Sequence, residues 1–184
     1  MSLTKTPICN FGEIAKNFNL ISTENKKISL DDIKGKNGTL IMFICNHCPY
    51  VKAVIKEVGH DVKKLEKLGI NSVAIMSNDI KNYPEDSFDN MVSFSKVNSF
   101  SFPYLLDSTQ KVAKDFGAVC TPDFFGYNKK MELQYRGRFR ELKNLVPSKT
   151  GDSDLFIAMK QISNTSKGPK KQIASMGCNI KWFK

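Results

Sequence analysis

Within four residues, Cys45-Asn-His-Cys48, the chain places two of its five cysteines and one of its two histidines, and Pro49 follows at once. Thiols and an imidazole at this spacing suit two kinds of chemistry, nucleophilic redox chemistry at sulfur and ligation of a soft metal ion. Proline fits the first helical position, where its missing N–H costs nothing, so Cys48 reads as the residue that caps a helix. The helix dipole and its unpaired N–H groups favour a thiolate there, as does a protonated neighbour such as His47. Cys48 is therefore the expected nucleophile. Cys45 has three readings: a second thiol that attacks a sulfur or sulfenic acid on Cys48, the leading cysteine of the pair, or core filler. His47 lowers the Cys48 pKa, shuttles a proton, or is a polar residue at a helix start.

The elements around this stretch predict how it is held. Residues 40–44 form an unbroken apolar run of strand length, which suits a strand buried on both faces. Val51, Val54, Ile55, Val58, Val62 and Leu65 then recur at helical spacing as one apolar stripe, and Gly69 suits a left-handed cap. Residues 71–77 are a second buried strand, giving a β-α-β unit. The polar loop 78–86 follows at its carboxyl end, where ligands gather in open α/β sheets. A short helix over 88–97, a brief strand at 102–106 and a helix capped by residues 107–109 come next, the last closed by Gly117.

Residues 10–35 read as a peripheral prelude containing an antiparallel hairpin. Later, Cys120-Thr-Pro122 leads into an aromatic strand that turns at 128–130 into a second strand over 132–137. A last helix starts near Asp152. Residues 163–184 read as a C-terminal tail, polar at first and ending in Gly177-Cys-Asn-Ile-Lys-Trp-Phe183. The chain has no internal repeat, and residues 1–184 are expected to form a single domain of α/β class.

A hydrophobic content of 41% over 184 residues suits one well-buried domain. The net charge of +10 comes from lysines scattered singly along predicted helices and turns, and the small clusters Arg136/Arg138/Arg140 and Lys167/Lys170/Lys171 match no nucleic-acid motif. No nucleic-acid partner is expected. No apolar run reaches signal-peptide length at the start or the roughly 18 residues of a membrane span, so no membrane role is expected and the protein reads as soluble and cytoplasmic. In that reducing compartment an odd number of cysteines argues against a disulfide framework.

The order strand, cysteine at a helix start, β-α-β, then Thr-Pro before a β-hairpin and a final helix resembles the thioredoxin fold. Residues 15–20 and 28–35, with the strand leading to Cys-Pro, resemble the opening of the alkyl hydroperoxide reductase/thiol-specific antioxidant redoxins. Cys-Asn-His-Cys-Pro-Tyr-Val (45–51), Ser77-Asn-Asp79, Tyr83-Pro-Glu-Asp86, Cys120-Thr-Pro-Asp-Phe-Phe125, Tyr135-Arg-Gly137 and Gly177-Cys-Asn-Ile-Lys-Trp182 are similar to its peroxiredoxin-like branch. The resemblance runs from about residue 10 to the end. It implies a thioredoxin-like fold: a central mixed β-sheet flanked by helices, with an N-terminal β-hairpin extension. Three departures stand out. Val51 occupies the place of the thioredoxin resolving cysteine, Cys45 the place of the peroxiredoxin threonine, and Arg140-Glu141 replaces an expected acidic pair.

The implied activity is that of a thiol-based oxidoreductase, either reducing hydroperoxides or exchanging thiols and disulfides through Cys48, with no cofactor and no metal. Its partners would be a hydroperoxide or disulfide substrate and a thiol reductant such as a thioredoxin or glutathione, and a homodimer is compatible with the fold. The resemblance also implies a cis Thr121-Pro122 bond whose Thr121 backbone faces the active cysteine and pairs with an extended thiol substrate. Cys120, one residue earlier, falls on the opposite side of its strand. Arg138, or Arg136 in its stead, would stabilise the thiolate and a peroxide oxygen, and only one of Tyr135 and Arg136 can face the site. Cys178 is either plain tail or a resolving thiol on a mobile C-terminus. Two readings of other classes compete: a Cu(I) or Zn(II) site built from Cys45, His47, Cys48 and Cys120 without redox turnover, and a redox-inactive partner-binding scaffold.

Overall fold

A computed structural model describes residues 3–184. Residues 1 and 2 of the expected domain lie outside the described residues. In chain order the elements are β1 (Leu3–Lys5), β2 (Asn19–Ser22), β3 (Lys27–Ser29), β4 (Gly38–Phe43), α1 (Pro49–Glu66), β5 (Ile70–Met76), α2 (Phe88–Val97), β6 (Tyr104–Leu106), α3 (Lys111–Phe116), β7 (Cys120–Thr121), β8 (Asp123–Asn128), β9 (Leu133–Arg136), β10 (Leu142–Lys143), β11 (Val146–Pro147), α4 (Asp154–Thr165) and β12 (Met176–Asn179).

Seven strands form the main sheet in the order β3-β2-β6-β5-β4-β8-β9. The pairs β4/β5 and β5/β6 are parallel and the rest antiparallel, which makes the sheet mixed, with the β2/β3 hairpin as its N-terminal extension. β4 is central and wholly buried. Its side chains alternate, as pleating requires. Leu40, Met42 and Ile44 enter a core with α1, α4 and Met91 of α2, whereas Ile41 and Phe43 enter a second core with α3 and Phe18. The expected apolar stripe of α1 is the buried one, and Gly69 adopts a left-handed φ of 76°.

One close approach requires glycine in β8. A Cβ on Gly126 would lie 2.4 Å from the Met159 sulfur, so the α4 side chain packs directly on bare backbone there. The Asp107–Thr109 stretch does not itself cap α3; that position is Gln110, in a left-handed conformation, while the Asp107 carboxylate accepts from the Ala113 N–H at 2.9 Å.

The segment beyond α4 differs from its reading as a polar tail. β12 returns to the body of the protein and lies between β1 and β7 in a three-stranded antiparallel sheet, with Cys178 opposite both Leu3 and Thr121. Its register is long-range, which is why a local reading of a polar stretch misses it. Among the described residues, no helix is long and apolar enough to cross a membrane.

Candidate active site

β4 ends at Phe43 and α1 begins at Pro49, so residues 44–48 form the junction above the carboxyl end of the central strand. Cys48 is the residue before α1, with Pro49 in its first turn. Thr121-Pro122 is cis and faces it. The Cys48 Sγ lies 3.1 Å from the Thr121 carbonyl oxygen and 3.1 Å from the Cys178 Sγ, and the Cys45 Sγ lies 3.3 Å from the Thr121 Oγ1. The sulfur–sulfur separation is that of a hydrogen bond, since a disulfide would be about 2.05 Å.

These neighbours set the ionisation of the site. The Cys48 pKa falls from the ordinary 9.0 to about 5, mainly because the Cys45 thiol hydrogen-bonds to it, with further help from Cys178 and the Val51 N–H against the penalty of burial. The helix N-terminus contributes through the Val51 N–H, after the hydrogen bonds from Cys45 and Cys178. The partners shift the other way. Cys45 is raised, first by its hydrogen bond to Cys48 and then by burial, and Cys178 is pushed up to about 12 by burial and by the same interaction with Cys48. One thiolate flanked by two thiol donors is the consistent description.

His47 pairs with a carboxylate on the Cys45 side of the site. Its Nδ1 lies 2.7 Å from Asp86 Oδ2, and its ring stacks on Tyr83. The fully buried Asp86 also accepts from the Asn78 side chain at 2.7 Å and from the Asn46 N–H at 2.8 Å. The Tyr104 hydroxyl donates to Asn46 Oδ1 at 2.9 Å. The hydrogen bond to Asp86 raises the His47 pKa above 6.5, and, against the upward push of burial, the bonds from His47 and Asn78 hold Asp86 below its ordinary value. The two shifts agree on an ion pair.

Asp86, Asn78 and Tyr104 are absent from the residues picked out by chemistry in the sequence. The signal for the first two was their membership of the loop after β5 and of the Ser77-Asn-Asp79 and Tyr83-Pro-Glu-Asp86 motifs.

Neither arginine reaches the sulfurs. Past an irregularity in the β8/β9 register, Tyr135 and Arg136 face apart, Tyr135 toward the core that holds the cysteines and Arg136 toward the Phe125 ring on the other side. There the guanidinium of Arg136 sits 4.4 Å from the Phe125 ring and pairs at 2.9 Å with the buried Asp123, whose pKa burial raises to about 6. Arg138 lies past the end of β9 and pairs with Asp154 at 2.6 Å. Arg140, the chain's third and last arginine, pairs with Glu57 at 3.1 Å. Cys120 is buried with its sulfur 3.8 Å from the Pro122 carbonyl, and burial raises its pKa.

The metal-ligand set anticipated in the sequence is not the one brought together. Cys45, His47 and Asp86 have ligand atoms within 4.8 Å of one another, whereas Cys48 and Cys120 are outside that group. A groove of about 450 Å³ opens beside Pro122, lined in part by Tyr50, Arg138, Phe139, Ile173 and Met176.

Known proteins share this fold. An uncharacterized conserved protein from Geobacillus kaustophilus is 35% identical over 100% of this chain and 97% of its own, with a TM-score of 0.94. A hypothetical protein from Sinorhizobium meliloti is 32% identical over 98% of each chain, with a TM-score of 0.90. The peroxidoxin BcpB of Mycobacterium tuberculosis, 15% identical over 69% of this chain and 83% of its own with a TM-score of 0.57, shares the fold, which is thioredoxin-like. No curated protein matches. The AhpC/TSA family matches residues 11–139, well over half the chain, and the chain therefore belongs to that family of thiol-based oxidoreductases.

Proposed function

We propose that Cys48 is the redox nucleophile and that the protein exchanges thiols and disulfides through it. The observation that carries this reading is the placement of Cys48 at the start of α1, against the Thr121 carbonyl and flanked by two further thiols that lower its pKa. At neutral pH the sulfur is a thiolate, and it attacks a sulfur of a disulfide substrate to form a mixed disulfide, expelling the other half as a thiolate. A second thiol of the chain then displaces the bound half. The reductant that restores the two thiols is a thiol of the thioredoxin or glutathione kind.

Hydroperoxide reduction by the same thiolate is the second reading, and membership of the AhpC/TSA family favours it. The pairing of Arg136 with Asp123, Arg138 with Asp154 and Arg140 with Glu57 weighs against it, because none of the three guanidiniums is hydrogen-bonded to a site sulfur where it would polarise a peroxide oxygen. Stopped-flow mixing of the reduced protein with glutathione disulfide and, separately, with hydrogen peroxide separates the two. The disulfide should oxidise Cys48 faster than it oxidises free cysteine at the same pH, while hydrogen peroxide should react no faster than with free cysteine. A fast peroxide reaction would select the peroxidase reading, and persistence of the fast reaction in Cys48→Ser would remove the nucleophile assignment.

A further inference from the structure

The Thr121 carbonyl is the backbone group that faces the Cys48 sulfur, so a strand paired with Thr121 presents one of its residues to that sulfur. Addition of an extended segment to an exposed strand edge is a general way to bind peptide, with backbone bonds for affinity and side chains for specificity. Here the chain fills that edge itself. β12 pairs antiparallel with β7, and the residue opposite Thr121 is Cys178. Gly177 makes the close pairing feasible, since a Cβ there would lie 2.0 Å from the Thr121 oxygen.

The strand is anchored on both sides. Before it, Ser175 exchanges hydrogen bonds with Thr6 and donates its hydroxyl to the Pro122 carbonyl at 2.8 Å. After it, the Ile180 N–H donates to Val119, and the Lys181 N–H donates to the Asn78 side chain at 2.9 Å. The Lys181 carbonyl accepts from the Asp79 N–H and from Gln110 Nε2. A cysteine carried on a strand fixed in this way is not the mobile one that the resemblance implied.

The geometry points to Cys178 as the second thiol of the Cys48 redox cycle, delivered by β12 as an internal occupant of the substrate edge, so that the oxidised protein carries a Cys48–Cys178 disulfide. This rests on Cys48 as the nucleophile and adds the identity of its partner. The sulfurs are 3.1 Å apart, inside the range of about 3–3.5 Å at which oriented groups react without further search, and bond formation closes the gap by about 1 Å.

With glutathione disulfide as oxidant the steps balance. Cys48 thiolate bonds to one glutathione sulfur and expels the other as a thiolate. Cys178 gives up its proton to a released thiolate and attacks the Cys48 sulfur, which expels the second glutathione. Two electrons pass from the pair of cysteines to glutathione disulfide. On reduction, the incoming thiolate attacks the Cys178 sulfur, the more exposed of the two at 5% against 0%. Cys48 then leaves, and as the sulfur with the lower pKa it is the better leaving group. Cys45 serves as a hydrogen-bond donor to the Cys48 thiolate in the reduced protein.

The test is peptide mapping of the wild-type protein after oxidation with glutathione disulfide and quenching of remaining thiols. A 48–178 linked peptide is expected, and it should persist in Cys45→Ser. Cys178→Ser should lose it and retain one glutathione on Cys48. Gly177→Ala, which keeps every sulfur but forces β12 off Thr121, should slow formation of the link and speed alkylation of Cys48. A 45–48 link, any other pairing, or no intramolecular link overturns the proposal. First labelling of Cys48 by limiting iodoacetamide in the reduced protein reports separately on the nucleophile, so a 45–48 link with Cys48 labelled first would remove Cys178 and leave Cys48 in place.

Discussion

At Cys48 the charge is stabilised by other sulfurs more than by the helix, and this has a measurable consequence. The rate of iodoacetamide alkylation should rise through about pH 5 and then level off, and Cys45→Ala should move that midpoint upward, because the Cys45 hydrogen bond is its largest cause. Stability carries the same signature. A thiol whose pKa is depressed on folding contributes stability that is present above its unfolded value and lost as pH falls through the folded one. The advantage of the reduced wild type over Cys48→Ala should therefore grow between about pH 5 and about pH 9 in denaturant titrations, and a flat difference would refute the shift. At His47 the prediction concerns its carboxylate. Asp86→Asn should lower the His47 pKa, read by proton NMR, and should cost about 2 kcal/mol, the scale for a hydrogen bond to a charged group.

Among the elements, β8 and β9 carry an ion pair on the face away from the sulfurs. Arg136→Ala strands the fully buried Asp123 and should destabilise by about 3–5 kcal/mol. The Asp123 pKa is already raised to about 6, and a raised group's penalty disappears as pH falls below the folded value. The deficit measured by urea unfolding should thus be smaller at about pH 5 than at about pH 8. β4 and α1 were legible in the sequence because burial on two faces and one apolar stripe each leave a local pattern. The tilt of the site was not. His47 finds its partner 39 residues away, so nothing near it announces Asp86. Alternation along residues 132–137 foretold that Tyr135 and Arg136 face apart. It said nothing of where β9 ends, and that decides the fate of Arg138. β12 is four residues long and amphipathic in no clear way, and only pairing with Thr121 and Leu3 makes it a strand.

Across the whole molecule the segment after α4 is held by a few buried polar side chains, and Gln110 does much of it. Its amide donates to the Ser77 and Lys181 carbonyls at 2.8 and 2.7 Å and accepts from the Phe183 N–H at 2.8 Å. Gln110→Ala should leave the main sheet in place yet speed hydrogen exchange of the 176–183 amides by about tenfold or more, since each lost bond of this kind is worth about 1 kcal/mol. Unchanged exchange there would show that the strand is held by β1 and β7 alone. Asn78 is the other fastener, and it has two ends. Its Nδ2 donates to Asp86 and its Oδ1 accepts from the Lys181 N–H. A carboxamide is a rigid plane, so the orientation that serves the one end is the orientation that serves the other. Docking of the tail and the hydrogen bonding of the His47–Asp86 pair are thereby written into one torsion angle, and the seated tail sets the Lys181 charge against a proton on His47, so by reciprocity a proton on His47 makes β12 easier to unseat.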